Sequence, residues 1–434
     1  MLLQKESDLT KDSYYEASVE RPPLSAPLGG RITADVCIVG GGYAGLSAAL
    51  ELAARGYSVA LLEAQRIAWG ASGRNGGQAI VGFGFAGEDA IEAQLHAADA
   101  RRAWDISVEG MRLLQERISR YSIDCDYVAG HLSLAVSATK ARELNARIER
   151  RARVYHYPMQ TILAAEIGDW IASTRFQAGA FDPQSGHLHP LKYCLGLAAA
   201  ARGAGVRIFE DTAVTHVERG DKPVVRAATG EVFCRFVVLA GNVYLGEYGN
   251  ALARELQQRI MPVGTYIIAT EPMEEQRANR LIRQRAAVCD TNLVLDYFRV
   301  TADHRLLFGG GESYSAATPR NLAPRLRQRM LAVFPQLADL SVPHVWGGFV
   351  DITMNQAPDF GRLDHNVYYL QGFSGHGLAL TGMAGKLVAE TIAGQAERFD
   401  LLSRLKHRPF PGGESLRVPA LVLGMLYYRL RDML

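Results

Sequence analysis

The stretch that decides the fold is Asp35-Val36-Cys37-Ile38-Val39-Gly40-Gly41-Gly42-Tyr43-Ala44-Gly45, which continues through a helical run, Gly56 and the apolar run Ser58 to Leu62 to Glu63. It reads as a short apolar strand, a glycine turn, a helix over Leu46 to Arg55 capped by Gly56, and a second strand. Gly40-x-Gly42-x-x-Gly45 gives each glycine a task. Gly40 permits the tight turn, Gly42 lets the backbone approach a pyrophosphate, and Gly45 lets helix pack on strand. The helix N-terminus presents free N–H groups and a partial positive charge to phosphate, and Tyr43 and Ala44 in the turn join the candidate cofactor set. Glu63, followed by Ala64, lies about 20 residues past the turn, where a carboxylate accepts from ribose hydroxyls. Strand, turn, helix, strand and acid in this order predict a bound dinucleotide.

Composition bounds the rest. A chain of 434 residues exceeds one ordinary core, so two domains are expected. Hydrophobic content of 48% and charged content of 21% are those of a globular protein. A net charge of +2, without a basic block, gives no electrostatic case for nucleic acid. The five cysteines (Cys37, Cys125, Cys194, Cys234 and Cys289) are far apart and lack C-x-x-C spacing. That argues against a disulfide framework and a metal site, and fits a cytoplasmic location. The charged N-terminus offers no secretory h-region, and no apolar run reaches the roughly 20 residues of a membrane span.

Beyond Glu63, the loop Gly70-Ala71-Ser72-Gly73-Arg74-Asn75-Gly76-Gly77-Gln78 is too rich in glycine for helix or strand. Its small residues suit close approach to a flat or charged ligand, so Ser72, Arg74, Asn75, Gly76 and Gly77 join the candidate cofactor set. Val214 falls where a residue would cover an adenine, and Gly241 ends the buried run Phe236 to Ala240. A strand, a glycine turn and a helix recur at Val367 to Ala393, bringing Gly375, His376 and Gly377 to the same ligand. Between Ile260 and Trp346 the pattern alternates as in antiparallel strands. The expected architecture is therefore α/β: a discontinuous Rossmann-type domain (34–103, 178–248 and 347–400) with an inserted antiparallel-sheet substrate domain (104–177 and 249–346). Residues 1–33 form an extension over the surface, and 401–434 a tail with a short apolar helix.

NAD and FAD share the fingerprint, but the only other glycine cluster of that kind, Gly309-Gly310-Gly311, leads into a polar loop rather than a helix. The loop at 70–78 and the Gly375-His376-Gly377 turn fit FAD better, because a helix opening there aims its positive end at the flavin.

On these motifs the chain resembles the D-amino acid oxidase superfamily of flavoproteins. Within it, four stretches resemble the gamma-glutamylputrescine oxidoreductases: 70–78, Tyr297-Phe298-Arg299 with Leu306 to Gly311, Gly372 to Leu378, and Pro409 to Gly413 with Tyr427-Tyr428. The resemblance covers nearly the whole chain from residue 13. It implies FAD-dependent oxidation of a primary amine to an imine, which water converts to an aldehyde and ammonia, in polyamine catabolism. The first alternative is glycine, sarcosine or a D-amino acid as substrate, and the second a flavin-binding subunit without catalysis. Covalent relatives use a cysteine in a C-terminal motif or a histidine after the ribose acid. Gly347 to Asp351 and Ile67 to Gly70 offer neither, so the FAD is expected to be non-covalent.

Flavin amine oxidation needs a neutral amine held over the ring in a dry site, and no nucleophile or metal. Arg299 is the candidate clamp for a substrate carboxylate, and Tyr266 with Tyr297 the candidate amine cage. His376 is the candidate proton handler. The electron acceptor, oxygen or another, is not written in any motif, nor is the oligomeric state. The apolar stretch Val418 to Leu426 is read either as a helix docked on protein or as a peripheral membrane contact.

Overall fold

The computed structural model describes residues 9, 12–84, 86–248, 252–292, 294–313 and 321–411. The fingerprint stretch forms the centre of a six-stranded sheet ordered 359–364, 367–371, 236–239, 36–39, 59–62 and 207–209. Five of these strands run parallel, and 359–364 adds an antiparallel edge. The short strands are apolar throughout because both faces are covered. Val36 and Ile38 pack against the helices Tyr43–Ala54, Pro190–Gly203 and Gly377–Ile392. Cys37 and Val39 face a separate layer carried by a four-stranded sheet, 30–33, 230–233, 224–227 and 214–218.

The third sheet has nine strands, eight of them in the order 344–353, 260–269, 306–313, 297–300, 287–290, 128–135, 178–187 and 78–79, with 160–162 paired to 178–187. It is antiparallel except where 287–290 meets 128–135. Strand periodicity divides its residues cleanly. Leu132, Val288, Phe298, Phe308 and Ile268 form the core beneath the helix Leu322–Val333. Ile267, Leu307 and Trp346, on the opposite face, join the core of the nucleotide domain.

Three expected boundaries shift. The helix Ala97–Arg120 is continuous across residue 104 and buries Trp104, Met111 and Leu114 in the nucleotide-domain core, so it does not open the substrate domain. The segments 178–187 and 344–353 are strands of the nine-stranded sheet, not of the Rossmann sheet. The N-terminal extension runs over the surface for most of 16–33 but is anchored at two points. Gly30–Thr33 is a sheet strand, and Tyr15, on the short helix Tyr14–Ala17, is 0% exposed. A helical period reports that a face is buried, not which domain buries it.

Candidate active site

The glycine turn is built as its spacing requires. Gly40 has φ +112°, and a Cβ there would lie 2.6 Å from the Ala240 carbonyl oxygen. A Cβ on Gly45 would lie 2.0 Å from the oxygen of Gly40, so helix and strand meet only because that side chain is missing. Gly42 faces Ser72, whose Oγ accepts from the Tyr43 N–H at 3.0 Å. Ala44 follows in the first helical turn. Glu63 accepts from the N–H of Gly41 at 2.6 Å and of Gln65 at 2.9 Å, across Ala64. Burial raises its carboxyl above the usual range despite these bonds. Gly241 closes the neighbouring strand against Leu245. Val214 lies in the apolar layer that includes Val39, Leu62 and Leu239.

The loop at 70–78 is latched from several sides. Asn75 donates from Nδ2 to the Ala71 carbonyl at 2.9 Å and accepts the Gly77 N–H at 2.8 Å. Gly77 has φ +76°, and a Cβ there would sit 2.1 Å from the Leu188 oxygen. Arg74 stacks over Trp69 at 4.6 Å, and Trp346 Nε1 donates to the Arg74 carbonyl at 3.0 Å. The ring of Tyr297 fills the space left open by Gly76 and Gly309.

Arg299 and Tyr266 differ from expectation. Arg299 is 2% exposed and turns Nε to the Gly76 carbonyl at 2.8 Å and Nη2 to the Tyr15 hydroxyl at 3.2 Å. It braces the glycine loop instead of presenting an open carboxylate clamp. Tyr297 pairs with Gly309, and Gly309 pairs with Ile267, so these three share one sheet face. Tyr266, one residue before Ile267, points to the other face, where it contacts the Gly264 and Phe349 side within the far core. Alternation along the strand therefore prevents Tyr266 and Tyr297 from forming one cage.

The closing turn brings Gly375, His376 and Gly377 to the N-terminus of the helix Gly377–Ile392. Gly375 has φ +74°, with no atom within 4 Å of its Cβ position, so the backbone there is open to a ligand. His376 Nε2 is shut from water without a hydrogen-bond partner, and burial, followed by the field of Arg151, pushes the imidazole down to about 4. It is neutral at physiological pH. The helix end therefore supplies positive potential through backbone N–H groups rather than through an imidazolium.

Sequence reasoning missed several supports. Asp351 accepts from the Gly372 N–H, and its carbonyl accepts from the Ser374 N–H at 2.9 Å. Burial raises this carboxyl to about 7. His131 pairs across strands with Asp182, which accepts from Tyr157 at 2.8 and 2.9 Å and from Ser185 at 2.5 Å. Burial lowers His131 to about 4; Asp182 opposes this and His376 adds to it, which places the two imidazoles in one field. No spacing in the sequence links His131 to His376. Tyr15, whose hydroxyl donates to the Asn75 carbonyl at 2.9 Å, was hidden in an extension of unremarkable composition.

Together these elements form a glycine turn at a helix start, a buried carboxylate, a small-residue loop and a second open helix end. This is a donor set suited to FAD. Among the described residues no cluster of metal-ligating side chains occurs, and no helix is long and apolar enough to cross a membrane. The apolar stretch 418–426 and the 427–428 tyrosines lie outside the described residues.

Comparison with known proteins agrees with this geometry. The chain is 43% identical over 422 residues to gamma-glutamylputrescine oxidoreductase of Escherichia coli (strain K12), covering 97% of this chain and 98% of that protein. It is 40% identical to a probable oxidoreductase, OrdL, of Haemophilus influenzae, covering 97% of each. Among solved structures, glycine oxidase from Bacillus cereus matches with a TM-score of 0.71 at 20% identity, covering 86% of this chain and 99% of that one. L-proline dehydrogenase from P. horikoshii matches with a TM-score of 0.69 at 22% identity, covering 84% and 94%. The family description "FAD dependent oxidoreductase" matches residues 35–391, and the chain belongs to this family, as an FAD-dependent oxidoreductase of the D-amino acid oxidase type.

Proposed function

We propose that this oxidoreductase oxidises the primary amine of gamma-glutamylputrescine to an imine, which water hydrolyses to gamma-glutamyl-aminobutyraldehyde and ammonia. The observation that carries this reading is the full-length similarity to the Escherichia coli enzyme of that name, 43% identical with 98% of its length covered. The flavin, when bound, supplies the two-electron chemistry. The protein's task is to hold a deprotonated amine beside it and exclude water.

The residues fit that division of labour. Tyr297 stands on the sheet face that carries the glycine loop, as a wall for the amine. His376 and His131 remain neutral at working pH, so neither adds a positive charge that would repel a substrate ammonium before it loses its proton. Electrons pass to oxygen, with release of hydrogen peroxide, or to another acceptor.

The test is a product assay for aldehyde and ammonia with gamma-glutamylputrescine, putrescine, glycine and sarcosine in parallel. The reading requires turnover of gamma-glutamylputrescine at a kcat/KM well above the others. Turnover of glycine or sarcosine alone would replace it with the small-amino-acid reading.

A further inference from the structure

Arg299 is a cation in an unusual position. The residue is 2% exposed, yet among the described residues no carboxylate lies within 4 Å of its guanidinium. Its bonds go to two neutral acceptors, the Gly76 carbonyl and the Tyr15 hydroxyl. The titratable groups around it are Tyr14, Tyr15, His187 and His189. Burial and Arg299 push both imidazoles down to about 3, and burial raises both phenols, so all four are neutral at physiological pH. Asp303, the carboxylate on that side, is already bound to Arg305 at 2.7 Å and to the Tyr14 hydroxyl at 2.6 Å.

Burying a charge without a counter-charge is costly. A neutral donor would brace the Gly76 carbonyl as well, so bracing alone does not account for a cation there. The charge sits directly behind the loop: a Cβ on Gly77 would lie 3.0 Å from Arg299 Nη2. A hydrogen-bonded ring holds it in place. Arg299 donates to Tyr15, Tyr15 donates to the Asn75 carbonyl, Asn75 Oδ1 accepts from the Gly77 N–H, and the Gly76 carbonyl accepts from Arg299 Nε.

We propose that Arg299 is a positioning residue that supplies the counter-charge for the reduced flavin through the Gly76–Gly77 peptide, with Tyr15 fixing the guanidinium. Two-electron reduction breaks the amine's C–H bond, transfers both electrons and one hydrogen to the flavin, and leaves one net negative charge there. The oxidised ring is neutral, so a fixed cation favours the reduced state selectively. The proposal rests on the reading that the loop at 70–78 lies against the flavin.

The experiment measures the midpoint potential and the FAD content of the purified holoenzyme and three variants. Arg299→Met should shift the potential negative, and Arg299→Lys, which keeps the charge, should restore most of the shift. Tyr15→Phe should shift it in the same direction by less, with its ring packing kept. Equal potentials for wild type and Arg299→Met, both loaded with FAD, overturn the proposal. If Arg299→Met does not fold, a wild-type potential in Tyr15→Phe overturns it. The loop reading is tested apart. Gly77→Ala, strained at φ +76° and crowding the Leu188 oxygen, should lose FAD, and normal FAD content there refutes the loop's position whatever Arg299 does.

Discussion

Ser72 Oγ accepts the backbone N–H of Tyr43 at 3.0 Å, which fastens the glycine loop to the first turn of the nucleotide helix. The two segments that the sequence assigns to one ligand are thus joined before any ligand arrives. Removing the hydroxyl leaves an N–H at the helix start without its side-chain acceptor. Ser72→Ala is expected to weaken FAD binding by about fivefold, equivalent to a lost cap of about 1 kcal/mol. Equilibrium ultrafiltration of the reconstituted apoprotein measures it.

Gly45→Ala should be far more damaging. Its new methyl would stand 2.0 Å from the Gly40 oxygen, a backbone atom that cannot rotate away. Overpacking of this kind costs about 1–3 kcal/mol or more, and here it also displaces the phosphate turn. The expected outcome is a lowered unfolding midpoint together with a protein purified without yellow colour.

The two tyrosines separate by face. Tyr266→Ala hollows the far core, at a cost of about 3–5 kcal/mol in stability, with kcat/KM largely retained in the folded fraction. Tyr297→Ala should do the reverse, because its ring lies between Gly76 and Gly309, against the glycine loop. Thermal unfolding and steady-state kinetics on both variants check the contrast.

Acid and alkaline behaviour follow from buried groups of opposite sign. His376 has a native value near 4 against an ordinary 6.5. The unfolded chain therefore binds the proton first, and stability is lost as pH falls from 6.5 towards 4. Asp351 works the other way: its native value near 7 exceeds the ordinary 3.8, so its contribution is full below 3.8 and is lost as pH rises towards 7. Asp351→Asn keeps a neutral acceptor for the Gly372 N–H. Its unfolding midpoint relative to wild type should rise between pH 4.5 and 7.5, while His376→Gln should gain relative to wild type as pH falls below 6.5. Thermal unfolding across that range measures both.

How much was legible follows from the range of each interaction. The 35–63 unit is local, so its glycines and Glu63 could be read from spacing, as could the turn before Gly377–Ile392. The fold class and FAD followed from those segments. What escaped reading depends on partners far apart in the chain. The Arg299–Tyr15 bond spans 284 residues, and the Arg299–Gly76 bond 223. Nothing near Arg299 in the sequence marks it as a brace rather than a clamp. Tyr266 and Tyr297 look alike as half-buried strand tyrosines until register assigns their faces. The helix Ala97–Arg120 shows its apolar stripe plainly but not that Gly110 lies against Ala379 and Met383 of the closing helix.

The central claim is a bound flavin that gamma-glutamylputrescine reduces. The most direct measurement is an anaerobic titration of the purified yellow protein with that compound, followed in the visible flavin band. The account predicts bleaching complete at one equivalent per flavin, with the aldehyde formed in equal amount. A band that stays unchanged with gamma-glutamylputrescine but bleaches with glycine or sarcosine would contradict it.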